Sequence, residues 1–499
     1  MEIQFQKTVI PCLKKLCHQY LSQEQTQEVR IPDGMPDIGT VLSAWGQVII
    51  RSKEWHNDSA GVSGGVMVWV LYLPEDGSGV QQMECWLPFQ QSWDIPDTGR
   101  DGNLEVIPML RSVDARTLTA RKMMVRASIG MLGYATVPDE IAFYAPSELP
   151  EDVQVLKNTY PVRLPVEAGE KSFYLEEKLP FPNTEVPPEK ILRFWMLPTL
   201  SEWKVVSDKL VLRGVAHIGA LYLGTDGQLH NWSFNLPFSQ YAQLSRDYEP
   251  EAQAEVTFAV TNLELEPGEE NTWNLKAGIS AQYTLYDTHL VELTKDAYSV
   301  NRGVTPNMDT LRVPAVLESQ KEAVLAQQSA SEDMLRVVDV TFYPESPSVR
   351  RQEDKLIAEL AGNFQLLGYS PEGELQTATA HWKTDVPMNA DASVALEMLL
   401  QPDGAPTATP SAGDVRLQSP LSLKTNVTMG KGLDMVTALE LGEITEPDPA
   451  RPSLILRRAG EDSLWEIAKA TGSSVEVIQA ANGLEGEPAG SKMLIIPIL

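Results

Sequence analysis

The stretch VLYLPEDGSGVQQMECWLPF, Val70–Phe89, returns further along the chain as ALYLGTDGQLHNWSFNLPF, Ala220–Phe238. Each copy runs apolar residues into a Tyr, then a turn carrying Asp-Gly (Asp76-Gly77, Asp226-Gly227), then a mixed run ending in Leu-Pro-Phe. Asp-Gly readily takes the positive φ angles of a tight hairpin turn, so both copies read as strand, turn, strand. A weaker third copy, LLGYSPEGELQTATAHW, Leu366–Trp382, puts Glu372-Gly373 at the turn. The tyrosines Tyr72, Tyr222 and Tyr369 lie 150 and 147 residues apart, a domain-sized period too long for a solenoid.

The repetition reaches beyond the hairpin. Gly64 and Gly214 stand eight residues before their tyrosines and Gly362 seven before, while SKEW (Ser52–Trp55) answers SEWK (Ser201–Lys204). Two more strand-like runs follow in each copy: 104–110 and 122–132, 255–263 and 274–285, 393–400 and 417–427. These patterns predict a mainly β chain of three tandem, all-β, sandwich-like repeats. Val66–Leu73 is apolar on both faces, which marks a strand central in a sandwich or placed at an interface, whereas Asn363 and Gln365 leave one face of the third copy polar. Trp86, Trp232 and Trp382 recur at nearly equivalent places in the second hairpin strand and read as core.

With 499 residues, three to four domains are expected. The spacing divides them as 1–150, 151–305 and 306–442 for the repeats, 443–452 for a linker and 453–499 for a tail. Short X-Pro segments (Val9-Ile10-Pro11, Thr159-Tyr160-Pro161-Val162, Leu311-Arg312-Val313-Pro314) read as linkers where each repeat restarts; EITEPDPARPS, Glu443–Ser453, reads as a tether, and Gly404–Asp414 as a disordered hairpin insertion. The chain carries 40 basic and 68 acidic side chains for a formal charge of −28, a surface that repels phosphate backbones and argues against nucleic-acid binding. No secretory signal or membrane-spanning run is expected, and three cysteines read as reduced thiols of a cytoplasmic protein. Sequons at Asn57, Asn231 and Asn426 are then incidental.

The tail alternates period with length in a different way. Leu454–Arg458 reads as a strand, Asp462 or Ser463 as the cap of a helix with Leu464, Ile467 and Ala468 inward, and Gly472 as its stop. Ser473 or Ser474 opens a second helix with Val475, Ile478 and Ala481 inward, and Met493–Ile496 returns as a strand, giving a βααβ unit. Asp462-Ser463-Leu464-Trp465, Ile467-Ala468, Val475–Ile478, Asn482 and Leu494–Pro497 together resemble a LysM module, with Glu461 where that family usually has Gly. The resemblance implies a groove lined by Asp462, Ser463, Leu464, Asn482, Gly483 and Leu484, beside a local positive spot at Arg457-Arg458. Leu464 and Trp465 also fit plain core packing.

The β repeats, through IPDGMPDI (Ile31–Ile38) and the Gly64/Tyr72/Asp76-Gly77/Pro88-Phe89 series with its copy at Gly214/Tyr222/Asp226-Gly227/Pro237-Phe238, resemble SPOCS domains of spore-coat-associated proteins. Three such repeats followed by one LysM module is the layout of SipL-type spore morphogenesis proteins. That resemblance implies a non-enzymatic scaffold in the mother-cell cytoplasm, holding the coat basement layer at the forespore surface by binding the SpoIVA ATPase, mainly through LysM. The alternative is a peptidoglycan- or N-acetylglucosamine-binding protein with the β repeats as spacers. No nucleophile elbow, phosphate loop or metal-ligand spacing is present, and the six histidines are scattered, so no catalytic residue, metal or cofactor is assigned. His217 reads as a hydrogen-bonded strand residue.

Overall fold

Residues 2–499 are described by the computed structural model except 97–98, 147, 270–271, 312–315, 353–354, 392–394, 412, 429–431, 446–450 and 489–492. The first unit comprises β1 (Glu2–Gln4), β2 (Gln6–Arg30), β3 (Ile38–Trp55), β4 (Ser59–Pro74), β5 (Gln81–Asp94), β6 (Asn103–Thr119) and β7 (Lys122–Ala145). Two antiparallel sheets, β3-β4-β5 and β2-β7-β6, carry its core. In the second unit β8 (Val153–Pro180), β9 (Pro188–Gly224), β10 (Leu229–Tyr248), β11 (Gln253–Pro267) and β12 (Thr272–Ser299) give sheets β9-β10 and β8-β12-β11. Here β9 takes the place of both β3 and β4. It reverses near Ser207, whose φ of 52° is the one positive value on a non-glycine among the described residues. Across that reversal Arg213 meets Glu202 and Thr199 Oγ1 donates to the Val215 carbonyl.

The third unit holds β13 (Val304–Leu311), β14 (Val316–Ala330), β15 (Arg336–Pro344), β16 (Ser348–Gln352), β17 (Lys355–Tyr369), β18 (Leu375–Asp391), β19 (Ala395–Pro402), β20 (Thr407–Ser411), β21 (Asp414–Thr428) and β22 (Leu433–Leu441). Its strand order repeats that of the first: β15 and β16 pair with β17, β17 with β18, and β14-β21-β19 form the opposing sheet. The stretch 404–414, expected to be disordered, instead contributes β20, paired with β21 from Thr407↔Gln418 onward. A βααβ tail follows, with β23 (Leu454–Arg458), α1 (Leu464–Thr471), α2 (Val475–Asn482) and β24 (Met493–Pro497). The chain is mainly β, as its patterning predicts.

The repeated hairpins behave as their turns dictate. Gly77, Gly227 and Gly373 all have positive φ (72°, 76° and 86°), and the carboxylates of Asp76 and Asp226 accept from the backbone N–H two residues on. Along β4, Val66, Val68, Val70 and Tyr72 enter the first unit's core against Val125, Ala127, Ile129 and Met131. Ala216, Ile218, Ala220 and Tyr222 do the same in the second, against Leu275, Ala277, Ile279 and Ala281. Tyr369 does not match them. Counted from the glycine it stands where Leu71 and Leu221 stand, and because side chains alternate along a strand the one-residue difference turns it to the opposite face. Ser370 occupies the tyrosine position, and the Tyr369 hydroxyl instead accepts from the Leu229 N–H of the second unit.

The matched glycines are places where the backbone is overlaid. A Cβ on Gly64 would collide with the Ile49 carbonyl and lie 2.9 Å from the Phe89 ring; one on Gly214 would strike the Thr199 carbonyl and the Phe238 ring. This is the physical content of Leu-Pro-Phe: the Phe lies directly across from the glycine in the ladder. In the third unit Trp382 pairs with Gly362 and Phe342 covers it, so no Pro-Phe is required. The tryptophans are not equivalent, contrary to expectation. Trp86 pairs with Met67, Trp232 with Ala220 and Trp382 with Gly362, three different distances from the glycine. Trp232 and Trp382 are core residues of their own units, whereas Trp86 packs on the core of its neighbour.

The units are joined more closely than linkers would allow. The X-Pro segments at 9–11 and 160–162 lie within strands β2 and β8, with Pro11 opposite Glu140 and Pro161 opposite Leu290; Val313-Pro314 lies outside the described residues. The outer halves of β2/β7 and β8/β12, with β13/β22, form three hairpin arms that share one apolar core: Cys12 and Ile141, Val162, Leu164, Val291 and Leu293, Leu311 and Met435. A second shared core, Trp45 and Leu71, Leu192 and Leu221, Val338 and Leu367, draws on the other face of the repeated hairpins. This explains why Val66–Leu73 is apolar on both sides. β1 closes the arrangement by pairing with β22, at the far end of the third unit. Between the three units lies a cavity of about 530 Å3, lined among others by Met109, Trp195, Glu255, Phe342 and Lys424.

Charged pairs stitch the same junctions. Arg193 of the second unit meets Asp339 of the third at 2.5 Å, both buried, with the guanidinium 5.1 Å from the Trp45 ring centre. The Gln282 amide exchanges two hydrogen bonds with Val106, at 2.9 and 2.8 Å. Lys424 and Arg163 face Glu255 at 2.6 and 3.9 Å and, against the cost of its burial, hold that carboxyl below its ordinary value. Between the first and third units Glu397 receives Lys15 at 2.6 Å and His18 at 3.3 Å. Burial opposes its ionisation, yet these partners lower Glu397 from 4.5 to about 2.

Two outcomes are expected. Gly214→Val should lower the melting temperature of the second unit by several degrees, at least ~1 kcal/mol, because the new side chain must displace a carbonyl or the Phe238 ring; an unaltered melting curve would disprove the overlay. Glu397→Gln should destabilise at neutral pH, by at most about 3 kcal/mol from linkage. Since the folded-state value is depressed, Glu397 contributes fully above pH 4.5 and loses its contribution as pH falls toward 2, so denaturant titrations of variant and wild type should converge over that interval.

Candidate partner-binding site

Each tail helix is set by short-range chemistry. Ser463 caps α1 in a reciprocal box: its Oγ accepts from the Glu466 N–H at 3.3 Å and the Glu466 carboxylate accepts from the Ser463 N–H at 2.8 Å. These bonds hold Glu466 below its ordinary carboxylate value. Ser474 caps α2 through the Val477 N–H, and both helices end on left-handed glycines, Gly472 (φ 68°) and Gly483 (φ 61°). Leu464, Ile467, Ala468 and Ile478 are buried with Leu494 and Ile496 of the sheet. Ala481, expected inward, is exposed; its place is taken by Leu484 beyond the helix.

The sequence-predicted groove residues come together as two loops, with differing roles. Asp462 is exposed and pairs with Arg457, so that guanidinium is neutralised locally and the expected positive spot reduces to Arg458. Leu464 is core. Asn482 is half-buried and fully engaged: its amide donates to the Ile478 and Ile495 carbonyls, and its Oδ1 accepts from the Ile495 N–H at 2.8 Å. Leu484 is half-buried against the tail core. The Glu487 carboxylate bridges the two loops by accepting from the Leu464 N–H at 2.9 Å. Ser463 is half-buried, and Gly483 is exposed.

Sequence reasoning missed where the tail sits. Trp465 Nε1 donates to Asp296 at 2.9 Å, Lys469 Nζ reaches the same carboxylate at 2.7 Å, and the Tyr298 hydroxyl donates to the Ser473 carbonyl at 2.9 Å. Trp465 and Tyr298 meet edge to face at 4.8 Å. Burial works against the Asp296 charge, but the bonds from Lys469 and Trp465 hold its carboxyl below the ordinary value. The linker is pinned at both ends, Thr445 to the Asn301 carbonyl and Arg451 to the Thr471 carbonyl; 446–450 lie outside the described residues. The tail is thus docked on the end of β12 instead of hanging from a tether. The available signal was Trp465 and Lys469 standing four apart, on the face of α1 beside its inward residues.

Among the described residues no group of His, Cys, Asp and Glu is placed to hold a metal ion, and no helix is long and apolar enough to cross a membrane. His217 is held between Asn235 (2.8 Å) and Thr199 (3.1 Å), a hydrogen-bonded strand residue as expected. The cysteines are free, and burial pushes the Cys12 and Cys85 thiols up to about 11.

The strands that these shared cores hold in place match a known domain. The family model described as SipL, SPOCS domain, matches residues 37–118 and 187–267, which run from β3 to β6 and from β9 to β11. Over these two stretches the chain is similar to SPOCS domains, a match that supports a SipL-type protein related to sporulation and the spore coat. Neither a curated protein nor a solved structure matches the chain.

Trp465→Ala should weaken tail docking by about 2 kcal/mol, the scale of losing a charged hydrogen bond and an aromatic contact. Hydrogen exchange of α1 and of 296–300 should accelerate together while exchange in β3–β5 stays as in wild type; unchanged protection of α1 would rule out the docked arrangement.

Proposed function

We propose that this chain is a non-enzymatic scaffold of endospore coat assembly that acts in the mother cell, holding the coat basement layer at the forespore surface. It does so by binding a SpoIVA-like coat ATPase, mainly through the tail, read as a LysM module. In this reading the functional divisions are 1–150, 151–305, 306–442, a linker at 443–452, and 453–499. The observation that carries the proposal is the pair of SipL SPOCS matches in a chain whose βααβ tail is held at a fixed place on the body. A scaffold needs surfaces in defined relative positions, and the SipL family is of the non-catalytic, scaffold type.

The loop geometry favours a protein over a glycan as the tail's ligand. Recognition of an acetamido group relies on free backbone N–H and C=O groups in the groove, and here the Leu464 N–H is already taken by Glu487 while Asn482 is spent on β24. The chain's strong negative charge leaves Arg458 as an exposed cation with no ion pair among the described residues, suited to an acidic rim on the partner.

The test is association of the purified full chain with the SpoIVA-like ATPase, followed in real time. Wild type should bind, a chain ending at 445 should not, and Arg458→Glu should slow association several-fold with little change in dissociation. Near-stoichiometric co-sedimentation of the full chain with purified peptidoglycan, without ATPase binding, would replace this reading with the glycan one.

A further inference from the structure

The two-stranded sheet of the tail is apolar on both of its faces. Leu494 and Ile496 point into the tail core, as the helices require. The opposite face presents Leu454, Leu456, Met493 and Ile495, which are 49%, 63%, 52% and 39% exposed. The register places Leu456 directly across from Ile495 and Leu454 across from Pro497, with Arg458 across from Met493. Side chains that share a face at these positions touch, so the residues form one strip that ends in an exposed arginine. The solvent side of a half-covered antiparallel pair is ordinarily polar, and a contiguous apolar strip there signals an interaction surface. Among the described residues the body does not cover it: the tail's hydrogen bonds to β12 come from Trp465 and Lys469 of α1 and from Ser473 in the turn that follows.

We infer that this outer face of β23–β24, rather than the loop groove, is the tail's docking surface. Its occupant is an apolar segment of another protein carrying an Asp or Glu that meets Arg458. Charge selects this occupant. Arg457 is taken by Asp462, leaving Arg458 as the local cation without an ion pair among the described residues, and a chain of net charge −28 opposes both a second copy of itself and an anionic bilayer. The inference rests on the reading that the tail binds a protein, and it names the surface that does so.

The experiment uses the full chain carrying Leu456→Glu with Ile495→Ser, both at exposed positions, and the SpoIVA-like ATPase as probe. The expected result is an unchanged melting temperature with at least a ten-fold loss of affinity. A folded double variant that binds like wild type overturns the docking face while the proposed function stands. If wild type itself fails to bind the ATPase, that reading falls, and the face is judged by a photo-crosslinking residue at position 456 of the full chain in sporulating cells. An adduct mapped to an apolar segment with a neighbouring carboxylate supports the face; none at 456 overturns it. Binding to phosphatidylglycerol vesicles that the double variant abolishes likewise overturns a protein occupant in favour of a membrane.

Discussion

The shared core of the three hairpin arms is what the rest of the structure depends on. Val162, Leu164, Val291 and Leu293 are fully buried, yet they lie outside the sandwich of their own unit and pack with Cys12 and Ile141 of the first and Leu311 and Met435 of the third. Burial of apolar area is the dominant favourable term in such a contact, and it is non-directional. The directional terms come from the pairs around it, such as Arg193 with Asp339 and Glu397 with Lys15. A buried ion pair adds little net stability against its desolvation, but losing one partner is costly, so these pairs act chiefly to select one mutual orientation. With the orientation fixed, Asp296 and Tyr298 at the end of β12 become a platform for the tail.

Much of the fold was legible because its signals are local. Asp76-Gly77 and Asp226-Gly227 specify hairpins by backbone geometry alone, and Ser463 with Glu466 specifies the start of α1. The long strands β2, β8 and β14 gave no comparable signal. QYLSQEQTQEVR in β2 and LESQKEAVLAQQSA in β14 are polar and rich in helix-favouring residues, and they become strands because β7 and β21 offer a full ladder of hydrogen bonds. The X-Pro segments misled for a related reason. Proline breaks a central strand, but at Pro11 and Pro161 the strand has only one ladder partner, and the missing N–H is not needed. Repeat matching by residue type failed where parity mattered: Tyr369 looks like Tyr72 and Tyr222, but one residue fewer from the glycine sends it to the interface. The family match itself falls on the stretches 37–118 and 187–267, within the parts whose turn chemistry is plainest.

The tail shows the same division at smaller scale. Its helices and caps were readable, and so were the loops that meet around Ser463 and Gly483. What the sequence did not disclose is occupancy: that Asn482 would be spent on β24, that Glu487 would take the Leu464 N–H, and that Asp462 would quench Arg457. Those facts depend on residues brought together from 5 to 23 positions apart, without a periodic signature. The alternation of β23 and β24 was in plain view, but an apolar residue on a short strand is read as inward until a partner layer is counted for each face.

The pairing of Glu2–Gln4 with Leu439 and its neighbours has a consequence for how the protein is made. A nascent chain emerges at roughly 5–20 residues per second, and its domains tend to fold as they appear. Here the first strand has no ladder partner until β22 has been synthesised, so the sandwiches can form in order of emergence while the ring that joins them stays open. Closure is then a single late event that locks all three arms at once. A gene duplication that added a fourth unit would have to pass through the same gate. Such a chain would need a new geometry for the arms, because its first and last strands would no longer meet across a ring built for three.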